Sequence, residues 1–95
     1  MTRSDFIASL KDSQPPEGCS AYLQALWYDA KGDWEKSHDL ISALSSTDAA
    51  QIHAYLHRKE GDQWNAEYWY RRAGVTRQEI SLSEEWDMLV EKSTL

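Results

Sequence analysis

A glycine followed by an aspartate, with helical patterns on both sides, occurs twice in this chain and constrains its fold more than any other feature. The two pairs are Gly32-Asp33 and Gly61-Asp62, which lie 29 residues apart. Glycine commonly ends a helix in a left-handed conformation, and aspartate is among the best residues to cap the next helix. Each pair therefore predicts a tight turn between two helices, so that the chain contains two helical hairpins.

Apolar residues recur at helical spacing around both turns, and no alternating strand pattern is present. We therefore predict an all-α fold with hairpins at about residues 19–45 and 48–74. Further helices are predicted at about 4–12, capped by Ser4, and at about 82–94, where Ser81 and Glu84 form a capping box. Thr47 or Ser46 is expected to cap the first helix of the second hairpin. The 95 residues suit a single domain.

The two hairpins match each other when their turns are overlaid. Ala25 then falls on Ala54, and Trp27 falls on Leu56. Small residues recur where two helices would cross closely, and large residues recur where they would pack. Two hairpins stacked side by side bury a continuous apolar stripe that neither could bury alone.

This pattern resembles the tetratricopeptide repeat (TPR). The second copy carries the better match, with small residues at Ala54 and Ala66, the turn at Gly61 and a packing residue at Tyr70. The offset is shorter than the ~34 residues of that family, no proline closes either copy, and about three copies are normally needed. The resemblance implies a right-handed α–α superhelix of two hairpins, with the first and last helices as caps. The segment 53–74 also resembles part of small bacterial proteins, which supplies no function.

TPR modules typically bind an extended peptide along the face made by the first helix of each hairpin. Carried over position by position, the resemblance implies a partner-binding groove in which Arg58 and Lys59 hold a carboxylate. The implied function is a protein-interaction module that binds a protein or peptide, or pairs with itself as a homodimer. The implied groove residues are Tyr22, Leu26, Asp29, Gln51, Tyr55, Arg58 and Lys59.

Three histidines indicate an alternative of another class. His53 and His57 are four residues apart and share one helix face, while His38 and Glu67 lie on helices predicted to pack beside it. Imidazole and carboxylate groups bind zinc and other transition metals, so these four side chains are candidate ligands in a metal-binding or hydrolytic protein. The competing interpretation is that the histidines are structural and hydrogen-bond to neighbouring tyrosine or glutamate side chains.

No catalytic residue is assigned. Ala54 stands where the glutamate of a His-Glu-x-x-His metalloprotease would be, and the sequence has neither a glycine-rich phosphate loop nor a nucleophile elbow. The sequence therefore favours a binding protein over an enzyme, and no cofactor beyond such a metal ion is expected.

Charge and composition narrow the partners. The net charge of −6 argues against nucleic acid, because phosphate binding needs a basic face. The single cysteine, Cys19, cannot form an internal disulfide, which fits a reducing compartment. No apolar run approaches the ~20 residues that span a membrane, and no signal-peptide pattern is present. We therefore expect a cytoplasmic protein without a membrane partner.

Overall fold

The computed structural model of the chain describes residues 1–76 and 79–94, and in these ranges it contains helices and turns but no strand. The all-α prediction is therefore confirmed. The helices are α1 (Arg3–Ala8), which continues into a 3₁₀ turn (Ser9–Lys11), α2 (Ala21–Ala30), α3 (Trp34–Ser42), α4 (Thr47–Glu60), α5 (Gln63–Ala73) and α6 (Leu82–Ser93). Within the described ranges, none of these helices combines the length and the apolar character that crossing a membrane requires.

The two Gly-Asp turns have the same local geometry. Gly32 and Gly61 both lie in the left-handed region, with φ angles of 87° and 88°. The amide of the aspartate after each glycine donates to a carbonyl in the preceding helix, at 2.9 Å in both turns. The carboxylates of Asp33 and Asp62 then accept from the amide three residues further on and cap α3 and α5. Both turns therefore have the structure that the sequence predicts.

Two helices begin at other residues than predicted. Thr2, and not Ser4, caps α1, because its hydroxyl accepts from the amide of Asp5 at 3.1 Å. This helix is also shorter than the predicted range 4–12, since it tightens into the 3₁₀ turn after Ala8. Helix α2 begins at Ala21, later than predicted, and Ser20 caps it. Of the two candidates for α4, Ser46 is the cap.

The hairpins α2–α3 and α4–α5 pack against each other through α3 and α4. Positions that match in the overlay also match in burial, because Ala25 and Ala54 are both buried, as are Trp27 and Leu56. Most of the large buried side chains form one core, to which Phe6 of α1 also belongs. The hairpins are thus neighbours with equivalent buried faces, while the TPR-like superhelix and its handedness stay a prediction.

Helix α6 lies against the first helices of both hairpins, α2 and α4. Its residues Leu89 and Val90 are buried in the main core, and burial of each such side chain contributes about 1.5–3 kcal/mol. The indole N–H of Trp86 donates to the carbonyl of Leu26 at 3.0 Å. Helix α6 is therefore more than a cap at the end of the stack, because it covers the face that the TPR resemblance assigns to a peptide groove.

Candidate functional site

Most of the residues assigned to a peptide groove lie inside the protein. Arg58 is partly buried, Lys59 is exposed, and Tyr22 is partly buried with its hydroxyl 2.7 Å from that of Ser46. The predicted groove stays a prediction, and in this fold α6 packs against α2 and α4, the two helices that would form it. The four groove residues that are buried are Leu26, Asp29, Gln51 and Tyr55.

The polar groups of this face bind one another and α6. Asp29 accepts a hydrogen bond from the hydroxyl of Tyr55 at 2.7 Å and forms an ion pair with Lys59 at 2.9 Å. Arg58 forms an ion pair with Glu85 of α6 at 2.7 Å. A buried charge without a partner is costly, so these pairs are what permits the burial. Burial, followed by the bond to Asp29, raises the pKa of Tyr55 far above its usual range, and the phenol stays protonated as the donor.

The three histidines come together between α3 and α4. His53 and His57 are one turn apart on α4, and their ring centroids are 4.9 Å apart. His38 reaches them from α3, with its Nε2 atom 3.0 Å from that of His53. One ring nitrogen from each residue lies within 4.8 Å of the other two. We call these three residues the histidine group. The structure thus brings together three of the four metal ligands that the sequence suggests.

The fourth suggested ligand, Glu67, is exposed on α5 and lies outside the histidine group. A different carboxylate contacts the group, because Oε1 of Glu60 lies 2.7 Å from Nδ1 of His57. A carboxylate at Nδ1 keeps the proton on that nitrogen and leaves the lone pair of Nε2 free. Sequence reasoning missed Glu60, although its i,i+3 spacing from His57 was a usable signal.

Two tryptophans hold the histidine rings in place. The indole of Trp34 stacks on His38 with centroids 4.9 Å apart and an interplanar angle of 12°. The indole of Trp69 stacks on His53 at 3.9 Å and 13°. The N–H of Trp34 also donates to the carbonyl of Leu56 at 2.8 Å, which fixes that indole against α4. The stack of Trp34 on His38 could have been inferred from their spacing along α3. The stack of Trp69 on His53 joins α5 to α4 and depends on how these two helices pack.

The environment of His53 favours the neutral imidazole. Burial, followed by the nearby His38 and His57, lowers the pKa of His53 to about 4. The ring is therefore neutral at pH 7, which is the state that binds metals. A cavity of about 130 Å³, lined in part by Ser46, Trp69 and Arg72, reaches this ring between the start of α4 and helix α5.

The distance between the two Nε2 atoms fits either of two arrangements. At 3.0 Å they form a hydrogen bond when one of the two rings carries the proton. Nitrogens that share one metal ion at bond lengths of about 2.0–2.1 Å in tetrahedral geometry are separated by about 3.3–3.4 Å. His38 and His53 are thus close to the spacing that a shared ion imposes. The same contact also fits purely structural histidines that hydrogen-bond to each other.

Comparisons of the chain with protein families, with curated proteins and with solved structures gave no match. The TPR-like resemblance is therefore supported only by the residues that carry it. Function has to be inferred from the geometry of the histidine group and of the surfaces around it.

Proposed function

We propose that this protein binds a divalent transition-metal ion, zinc or a close relative, through His38, His53 and His57. The observation that carries this proposal is the convergence of three ring nitrogens from two helices within 4.8 Å of one another. Tetrahedral coordination at about 2.0–2.1 Å requires the more distant atoms to close by about 1.5 Å at most, and the nitrogens of His38 and His53 to open by about 0.3–0.4 Å. Rotations of the side chains would have to supply that movement. Imidazole ligands suit zinc, copper, iron and nickel, whereas magnesium and calcium prefer oxygen.

The surroundings of the group support metal binding in three ways. Glu60 orients His57 through Nδ1, which is the carboxylate–histidine arrangement common at metal sites. The lowered pKa of His53 removes competition from protons at neutral pH. The stacked indoles of Trp34 and Trp69 fix the rings beside them, so less conformational entropy is lost when an ion binds.

Three protein ligands leave a fourth position on a tetrahedral ion. Structural zinc sites are closed by four protein ligands, while catalytic sites keep a position for water or substrate. The cavity beside His53, lined by residues of α5 and of the start of α4, is the space proposed for such a ligand. The bound ion is therefore expected to carry an exchangeable ligand, which is the property that hydrolytic chemistry would use.

The decisive experiment is a metal assay on protein made without a histidine tag. We expect an equimolar amount of zinc after loading and desalting, and loss of most of it in the variants His38→Gln, His53→Gln and His57→Gln. Glu67→Gln is the matched control, because Glu67 is exposed and lies outside the group. Circular dichroism verifies that each variant is folded. A wild-type protein that retains no zinc, or variants that retain as much as the wild type, would overturn the proposal.

We also propose a second function, self-association through the outer face of α5. Trp64 is 74% exposed on this helix, and its ring stacks on Tyr68 with centroids 6.3 Å apart. Arg72 lies over the ring of Tyr68 at 5.8 Å, so aromatic and arginine side chains are combined as in interface hot spots. The proposed partner is a second copy of the chain, whose excess of acidic side chains offers carboxylates to Arg72. Sedimentation of the wild type and of Trp64→Ser tests this, and a monomeric wild type would exclude it.

A further inference from the structure

A second cavity, of about 330 Å³, lies where the ends of three helices meet. Its walls come from the C-terminal ends of α2 and α4 and the N-terminal end of α6, together with Leu10 of the 3₁₀ turn. It shares no residue with the histidine group. Its volume is at the lower end of the range of about 300–1,000 Å³ that is usual for small-molecule pockets.

One side of this cavity is apolar and well fixed. Leu10, Leu82 and Trp86 line it. The indole of Trp86 is anchored by its hydrogen bond to the carbonyl of Leu26, and it packs against Phe6 with ring centroids 6.1 Å apart. Because the indole is held on two sides, it offers a flat wall that a ligand need not reorganise.

The other side carries an ion pair whose carboxylate is buried. The side chain of Asp29 is 1% exposed, and each of its carboxylate oxygens already accepts a bond, one from Lys59 and one from Tyr55. Lys59 is 39% exposed in its side chain. Its ammonium group has three donors, and within residues 1–76 and 79–94 it donates to Asp29 alone. Two donors therefore remain for a ligand, whereas each oxygen of Asp29 already accepts one bond.

We propose that this cavity binds a small organic acid whose apolar body is about the size of one aromatic ring. The carboxylate of the acid accepts from Lys59, and the apolar body lies against Trp86 and Leu82. An acid fits better than an amine, because the carboxylate of Asp29 is already paired with a cation and Lys59 keeps donors that no bond within the described ranges uses. The ion pair with Asp29 also holds the ammonium group at the cavity, so the binding geometry exists before the ligand arrives.

The test is a titration of the metal-free, isotopically labelled chain followed by nuclear magnetic resonance. Phenylpropionate is the probe, and phenylpropionamide is its uncharged match. The indole N–H signal of Trp86 is the main readout, because that group is fixed to Leu26 beside the cavity. We expect saturable shifts of this signal and of residues at the cavity, with the amide at least about tenfold weaker than the acid, as the loss of a charge-assisted hydrogen bond requires.

Variants separate charge recognition from simple apolar binding. Lys59→Met should weaken binding of the acid by about tenfold or more and leave binding of the amide unchanged. Its control is Lys36→Met, since Lys36 lies on α3 over Tyr28 and outside this cavity. Ala30→Leu adds bulk at the cavity wall without changing a charge and should weaken the binding of both probes. Should Lys59→Met fail to fold, the acid–amide comparison in the wild type and the Ala30→Leu variant still decide the question.

Three results would overturn the proposal. Equal binding of acid and amide would show that Lys59 plays no part in recognition. Shifts confined to residues away from the cavity would place the binding elsewhere. Absence of any saturable shift up to the solubility limit of the acid would exclude a site of this class. Because the measurement uses metal-free protein, none of these results depends on whether the histidine group binds zinc.

Discussion

Arg58 of α4 and Glu85 of α6 form an ion pair at 2.7 Å whose side chains are only 19% and 5% exposed. The second carboxylate oxygen of Glu85 accepts from the hydroxyl of Tyr70 on α5. Arg58 also donates to the carbonyl of Ile80, just before α6. Three separate segments of the chain are therefore joined through one buried carboxylate, which positions α6 on the face it covers.

Removal of this carboxylate should be strongly destabilising. Glu85→Ala leaves Arg58 as a buried charge without its partner and is expected to lower the free energy of unfolding by about 3–5 kcal/mol. Asp87→Ala is the control on the same helix, because the pair between Asp87 and Arg3 is exposed at 45% and 43%. That change should cost less than about 1 kcal/mol. Urea denaturation measures both, and similar losses would show that burial of the pair is unimportant.

The stack of Trp69 on His53 predicts a linked change in stability and pKa. Trp69→Ala should lower the free energy of unfolding by about 2–3 kcal/mol, less than the ~3–5 kcal/mol of a fully buried tryptophan, because this ring is half-buried. The pKa of His53 should rise, since burial is the main cause of its low value. Histidine ring signals followed against pH report the second effect. Trp64→Ala, at a side chain 74% exposed, should stay within about 0.5 kcal/mol.

Because of His53, the free energy of unfolding should decrease as the pH is lowered. Its pKa is about 4 in the folded chain and ~6.5 when unfolded, so the unfolded state binds more protons between these values. The stabilisation is complete above the unfolded pKa and is lost as the pH falls toward the folded one, by about 2 kcal/mol between pH 7.5 and pH 5. Chemical denaturation in a chelator measures this. His53→Gln should show a smaller loss over the same range, and an equal loss would assign the pH dependence to groups other than His53.

Glu60 should influence metal affinity without being a ligand. Glu60→Gln removes the carboxylate from Nδ1 of His57 and is expected to weaken zinc binding by about 10–100-fold, because such partners orient the ring and raise its basicity. Competition with a chromophoric chelator measures the affinity. Glu67→Gln provides the comparison, and equal affinities for the two variants would show that the contact with His57 has no effect on the site.

The turn between α4 and α5 should tolerate only a residue suited to left-handed backbone. Gly61 has a φ of 88°, so Gly61→Ala is expected to cost about 1–2 kcal/mol, although a side-chain carbon there would meet no other atom within 4 Å. Gly61→Asn should cost less, because asparagine adopts this conformation more readily. Thermal unfolding compares the two. Equal melting temperatures for the two variants would show that the left-handed backbone at position 61 does not cause the loss of stability.

Local features of the fold were predictable because they depend on a few neighbouring residues. The turns at Gly32 and Gly61 and the capping box of Ser81 and Glu84 are set by hydrogen bonds within one helix end. The start of α1 was predicted at the wrong residue. Thr2 and Ser4 are both suitable caps, and only the geometry of the folded chain selects one of them. The closeness of His53 and His57 also followed from spacing alone, since residues four apart share a helix face.

The sequence by itself determined the helices, the turns between them and one face of α4 that carries two histidines, because these follow from backbone preferences and from a period of 3.6 residues. Tertiary structure alone decided that α6 packs against α2 and α4, that Trp69 lies over His53, and that Glu60 rather than Glu67 contacts the histidine group. These contacts join residues whose distance along the chain says nothing about their distance in space. Which residues meet depends on the packing that buries the most apolar surface while each buried charge stays paired.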